Sequence, residues 1–69
     1  MTLGNRIRTR REELGLTQVE LAEKTKLTQG CISRIESDVF APKATTLIVL
    51  AISLSLPPNA FLNDERRAG

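Results

Sequence analysis

Around residue 30 the chain sets out side chains suited to hydrogen-bond recognition. Thr28 offers a hydroxyl that can accept from the free amides at a helix start, and after it Ile32, Ile35 and Glu36 fall on one face at the helical period. Gly30, Ser33, Arg34 and Ser37 must then point the other way. That face is small and hydrogen-bonding, with one guanidinium and no bulky apolar group. It suits a helix laid in the DNA major groove, where base edges offer donors and acceptors. A solvated helix face fits the same residues, and the helix by itself supports both readings equally.

Covalent chemistry has much less to draw on. The 69 residues include no histidine and one cysteine, which removes ordinary zinc sites and the commonest general base. Glu12 and Glu13 are adjacent and diverge on a helix, and Asp64 and Glu65 sit in a polar tail, so neither pair makes a glycosidase-like couple. An enzyme is therefore not expected, nor is a metal, a cofactor or a small-molecule ligand. A single cysteine allows no internal disulfide, and nothing at the start resembles a signal peptide. The longest apolar run, residues 47–52, is far short of the ~20 residues that span a bilayer. These features predict a soluble, cytoplasmic protein that does not engage a membrane. Ten Lys and Arg against eight Asp and Glu leave a formal charge of +2, a mild excess that fits an anionic partner without requiring one. Arg6, Arg8, Arg10 and Arg11 cluster near the start, while the acids are scattered.

The elements that must position the residue-30 face can be read from local signals. Thr17 with Glu20 three residues on makes a capping box. The helix it opens has Val19, Leu21, Ala22 and Thr25 as an apolar stripe and turns Glu20, Glu23 and Lys24 to water. The turn before Thr28 is too brief to let the two helices separate, so one of them can be presented to a groove. Ahead of this pair, residues 3–14 form a first helix with Leu3, Ile7 and Leu14 on one side and Gly15 as its left-handed end. Arg11 lies on that same side, and Glu36 lies one turn beyond Ile32 on the inward face of the third helix. An unpaired buried charge is strongly unfavourable, so Arg11 and Glu36 are expected to form a partly buried ion pair.

Residues 38–43 contain Pro42 and lack periodicity, which predicts a loop. In residues 46–56 β-branched side chains and a final alternation favour a strand, whereas Leu47, Leu50, Ala51 and Leu54 hold the i, i+3, i+4, i+7 spacing of a helix. A helix is the reading taken here, stopped by Pro57 and Pro58 and followed by a last short helix that opens at Pro58 or Asn59 and ends at Phe61 and Leu62. A domain over residues 1–64 with a polar tail over residues 65–69 follows.

Taken in order, IRTRREELGLTQVELAEKT, the ISRIE pentad, Pro42 after a loop, a TLxxLAxxLxL run at residues 46–56 and a closing AFL resemble the Cro/CI-type helix-turn-helix family, also called lambda-repressor-like or XRE. The resemblance covers roughly residues 3–62. It implies an all-α fold, a compact bundle of about five short helices in which helices 2 and 3 form the helix-turn-helix. It also implies a sequence-specific regulator of transcription, expected to be a Cro-like or controller-type repressor. Such a protein binds a pseudo-palindromic double-stranded DNA operator as a homodimer, with its third helix in the major groove.

Roles follow for individual residues. Gln29, at the start of the recognition helix, can pair bidentately with adenine N6 and N7. Arg34 can reach guanine O6 and N7 or a phosphate, Ser33 can reach either base type, and Gly30 permits close backbone approach. Gln18 resembles the family glutamine that contacts a phosphate at a helix N-terminus. Thr28, Lys43, Arg10 and Lys26 complete the backbone candidates, with a solvated surface as the competing reading of the charged ones. Leu56, Pro57, Ala60 and Phe61 are the expected dimer surface. The chain departs from the family pattern in two places. Lys26 stands where the turn has glycine, so either it adopts a left-handed conformation or the turn differs. Cys31 flanks the recognition helix as either a thiol switch or an inert small side chain. The competing function is a protein-interaction module, an antitoxin or coactivator adaptor that would use the apolar fourth helix.

Overall fold

Thr2, Thr17 and Thr28 begin three helices in the same way, each hydroxyl accepting from the backbone amide three residues ahead at Asn5, Glu20 and Cys31. The computed structural model describes residues 1–62. Within them the order is α1 (Leu3–Glu13), α2 (Gln18–Thr25), α3 (Gln29–Glu36) and α4 (Ala44–Ser53), with no strand among the described residues. At Thr17 the capping box is complete, because the Glu20 carboxylate also accepts from the Thr17 amide at 2.8 Å. The boundary between the expected 1–64 domain and 65–69 tail lies outside the described residues.

All four helices end on a residue in the left-handed region, and only one of these residues is glycine. They are Gly15 (φ 71°), Lys26 (φ 62°), Asp38 (φ 59°) and Ser55 (φ 60°). In each case the next amide reaches back five residues to close the helix, from Leu16 to Arg11, Leu27 to Ala22, Val39 to Arg34 and Leu56 to Ala51. The left-handed alternative at Lys26 is therefore the one adopted. Ser55 also corrects the expected end of the fourth helix, which stops before either proline is reached. The helix starts at Ala44 rather than 46, from a Lys43 cap that makes no side-chain hydrogen bond.

The last short helix is not where the sequence places it: residues 58–61 form turns, and helix is reached only at Leu62. From Pro57 onward the chain closes in successive three-residue turns, Ala60 to the Pro57 carbonyl at 2.9 Å and Leu62 to the Asn59 carbonyl at 3.2 Å. A five-residue segment can close at most one hydrogen bond of the α-helical kind, too little to offset the cost of nucleation. These turns carry Phe61 into the core, where it packs with Ile7, Leu21, Ile32, Ile35, Leu47, Leu50 and Leu54. Phe61 is 1% exposed, so it is a core residue and not part of a dimer surface as expected.

On α2 the inward positions are Gln18, Leu21, Ala22 and Thr25, which puts Val19 outside the stripe at 48% exposed. Leu14 is likewise exposed, since it caps α1 beyond the last full turn. Ala44 to Ser53 is helical with its inward side at Leu47, Leu50 and Ala51, while Val49 and Ile52 face out.

The start of α1 is locked against the end of α3. A Cβ on Gly4 would lie 2.5 Å from the Glu36 carbonyl oxygen and 2.6 Å from that of Ile35, so only glycine allows this approach. Asp38 completes the junction, accepting from the Gly4 amide at 3.0 Å and from the Thr2 hydroxyl at 2.6 Å. The loop reading of residues 38–43 thus holds for the backbone but misses this cap.

Candidate nucleic-acid interface

The brief turn between α2 and α3 is built around left-handed Lys26 and the Thr28 cap, and it brings the starts of the two helices side by side. Gln29 and Gly30 are exposed there, Arg34 is exposed a turn further on, and Ser33 is half-buried between them. The outward face read from the sequence is therefore present as a surface. Gly30 meets nothing within the fold, since an added Cβ would have only the Thr28 hydroxyl for a neighbour, at 4.0 Å. Gly30 is the second residue of α3, and no contact within the fold requires a glycine there.

Gln18 is not a free side chain at the tip of α2. Its Nε2 donates to Glu36 Oε1 at 3.2 Å, and its Oε1 accepts from Gln29 Nε2 at 3.3 Å. Behind it the Arg11 guanidinium closes on the same carboxylate, Nε to Oε2 at 2.7 Å and Nη2 to Oε1 at 3.1 Å. Nη1 of Arg11 donates to the Leu16 carbonyl at 2.8 Å. The hydrogen bond to Glu36 raises the guanidinium above its ordinary value; burial opposes this, and the charges of Glu36 and Glu12 add to the rise. Four residues on three helices thus form one continuous polar chain from the core to the surface of α3.

The arginines of α1 make contacts within the fold. Arg6 lies over the Phe61 ring at 5.7 Å, Arg8 pairs with Glu12 at 3.4 Å, and Arg11 is buried. Arg10, a backbone candidate, donates to the Leu54 carbonyl at 3.0 Å and pairs with Glu13 at 3.4 Å, bonds that a phosphate contact would have to break. Lys26, Lys43 and Arg34 are exposed and make no ion pair among the described residues, which leaves their charges for an external anion. Thr28 keeps its hydroxyl on the Cys31 amide at 3.1 Å. Cys31 is half-buried and packs against the core.

Of the residues expected at a dimer contact, Leu56 and Ala60 are half-buried against the core and Pro57 is exposed. The apolar side chains that do face outward near this end are Val49 and Ile52, the latter 58% exposed. No helix among the described residues is long and apolar enough to cross a membrane. No group of acidic, cysteine or histidine side chains among them could hold a metal ion.

A family model described as helix-turn-helix matches residues 7–61. The chain is 40% identical over 65 residues to the immunity repressor protein of Bacillus phage phi105, across 94% of its own length and 45% of that protein. It therefore spans less than half of the phage relative. The fold superposes on the P22 c2 repressor, solved in complex with a synthetic operator, with a TM-score of 0.83 and 28% identity over 93% of this chain and 97% of that one. It superposes as well on SinR, a master regulator for biofilm formation solved in complex with DNA, with a TM-score of 0.80 and 29% identity over 88% of this chain and 98% of that one.

Proposed function

Because the chain belongs to the Cro/CI-type helix-turn-helix family, we propose that it is a sequence-specific, DNA-binding transcriptional repressor that lays α3 in the major groove of a pseudo-palindromic operator. The observation that carries this reading is the outward face of α3, where Gln29, Gly30, Ser33 and Arg34 offer hydrogen-bonding groups and open backbone to a partner. Gln29 and Arg34 are the principal base readers, with adenine and guanine as their respective partners. Gln18, Thr28, Lys26 and Lys43 lie against phosphates, which set register without carrying sequence information. Arg10 joins them only by releasing Leu54 and Glu13.

One copy reads too few base pairs to be selective, so two copies act together with their recognition helices about 34 Å apart, one turn of the duplex. Pro57, with Leu56 and Ala60 beside it, is the proposed contact between copies. The protein works where the DNA is, in the cytoplasm. That the P22 c2 repressor and SinR are both solved with DNA supports the reading. The competing reading, a protein-interaction module, draws on exposed Val49 and Ile52. Gln29→Ala with Arg34→Ala separates the two. A repressor loses operator affinity by on the order of tenfold or more per base contact with its fold intact. An adaptor shows no change in either property.

A further inference from the structure

We propose that the groove between the α2–α3 turn and the start of α4 is a docking site for an acidic segment of a partner protein, which anchors one bulky apolar side chain in the groove and sets its carboxylates against the lysines around it. The inference goes beyond DNA recognition, since none of the lining residues is among the proposed base readers.

Thr25, Leu27, Thr45, Thr46 and Val49 line the groove, which opens to solvent and holds about 120 Å³. An apolar cavity of roughly 150 Å³ accommodates a benzene ring, so this one takes a single side chain of about the size of leucine. Leu27 is half-buried and Val49 is 41% exposed, and both gain by being covered. The Thr25 hydroxyl donates back to the Leu21 carbonyl at 2.9 Å, so an apolar occupant beside it leaves no buried donor unpaired.

The surroundings decide the chemistry of the occupant. Lys24 and Lys26 flank Thr25 in the chain, Lys43 stands two residues before Thr45, and all three are exposed. From Lys24 to Leu62 the only acids are Glu36 and Asp38. Glu36 is buried against Arg11, and Asp38 is bound to Thr2 and Gly4. The first turn of α4 adds to the same sign, because its amides have no side-chain cap and carry the positive end of the helix dipole. An acidic segment is drawn to this rim, whereas a second copy would bring lysines against lysines. A phosphate backbone would meet the lysines but leave the recess unfilled. A bilayer surface is disfavoured by shape, because lipid binding needs apolar side chains that project, and here they line a recess.

The test pans a phage-displayed library of random peptides against the whole chain with no DNA present, so its result is independent of the base-reading assignment. Enriched peptides are then titrated by fluorescence anisotropy. The expected peptides carry carboxylates around one leucine or phenylalanine. Replacing that residue with serine weakens binding by on the order of tenfold or more, as expected for burying one such side chain. Val49→Asp and Thr45→Glu, each checked for its helical melting transition, weaken binding by a similar factor, and Lys26→Gln/Lys43→Gln flattens its salt dependence. Thr45→Glu places a carboxylate in the first turn of α4, where it suits the helix dipole, and so keeps the test decisive should Val49→Asp fail to fold. No enrichment, an enriched set without the acidic and apolar signature, or unchanged affinity in either folded variant overturns the proposal. So does a dimer in sedimentation, or binding to phosphatidylglycerol vesicles, that either substitution abolishes, since the groove would then belong to a second copy or to a lipid surface.

Discussion

Arg11 and Glu36 meet as a bidentate pair, 2.7 Å and 3.1 Å across its two hydrogen bonds, joining α1 to the last residue of α3. The remaining guanidinium nitrogen is held by the Leu16 carbonyl, and no buried side-chain nitrogen or oxygen among the described residues lacks a partner. A pair satisfied in this way orients α3 relative to α1, and through Gln18 it extends to the exposed face.

Removing either partner leaves the other buried and uncompensated. Arg11→Met and Glu36→Met are each expected to lower stability by about 3–5 kcal/mol in urea denaturation. The double variant is expected to lose less than the sum of the two by at least about 1 kcal/mol. Additive losses would show that the two charges are energetically independent.

Gly4→Ala tests the junction at the start of α1. Helix propensity alone makes alanine better by about 1 kcal/mol. The Glu36 and Ile35 carbonyls at 2.5 and 2.6 Å from the new methyl reverse that sign. The expected outcome is a destabilisation of about 1–3 kcal/mol, read from the denaturation midpoint. A stabilised variant would mean that α1 does not pack this closely on α3.

Lys26→Gly relieves a left-handed residue at the turn between α2 and α3. Stability is expected to rise by about 1 kcal/mol, which for a domain of this size raises Tm by about 4–8 °C. Ser55→Gly relieves the same strain at the far end of α4 and serves as the control. Both variants should melt higher, whereas only Lys26→Gly should flatten the salt dependence of DNA binding, by about one unit of slope for one phosphate contact. Equal slopes would remove Lys26 from the phosphate contacts.

What was legible in the sequence depended on distance along the chain. The caps at Thr17 and Thr28 and the glycine end of α1 are local chemistry, complete within a few residues, and they appear in the fold where they were read. The Arg11–Glu36 pair spans 25 residues yet was legible, because each charge sits on an otherwise apolar stripe and so announces the need for a partner. Gly4 and Asp38 gave no such sign. Their meaning lies in an approach between α1 and α3 that no local pattern encodes, although aspartate's tolerance of the left-handed region marks it as a helix end. The ends at Lys26, Asp38 and Ser55 lack the glycine that signals them, so local pattern alone points to the prolines as the stop of α4. The inward position of Phe61 depends on the turns after Pro57, which no local pattern encodes. At the interface, residue types revealed the outward face of α3, but the link from Gln18 to Glu36 depends on how closely α2 and α3 pack.

The central claim is that α3 reads DNA sequence, and selection from random duplexes followed by anisotropy titrations of the enriched site across a salt series tests it most directly. The account predicts a two-fold-symmetric site with half-sites about one helical turn apart. It also predicts log K falling with log salt by about 0.9 per neutralised phosphate, and loss of the preference in Gln29→Ala. No enrichment over random sequence, with only weak salt-sensitive binding, would contradict it.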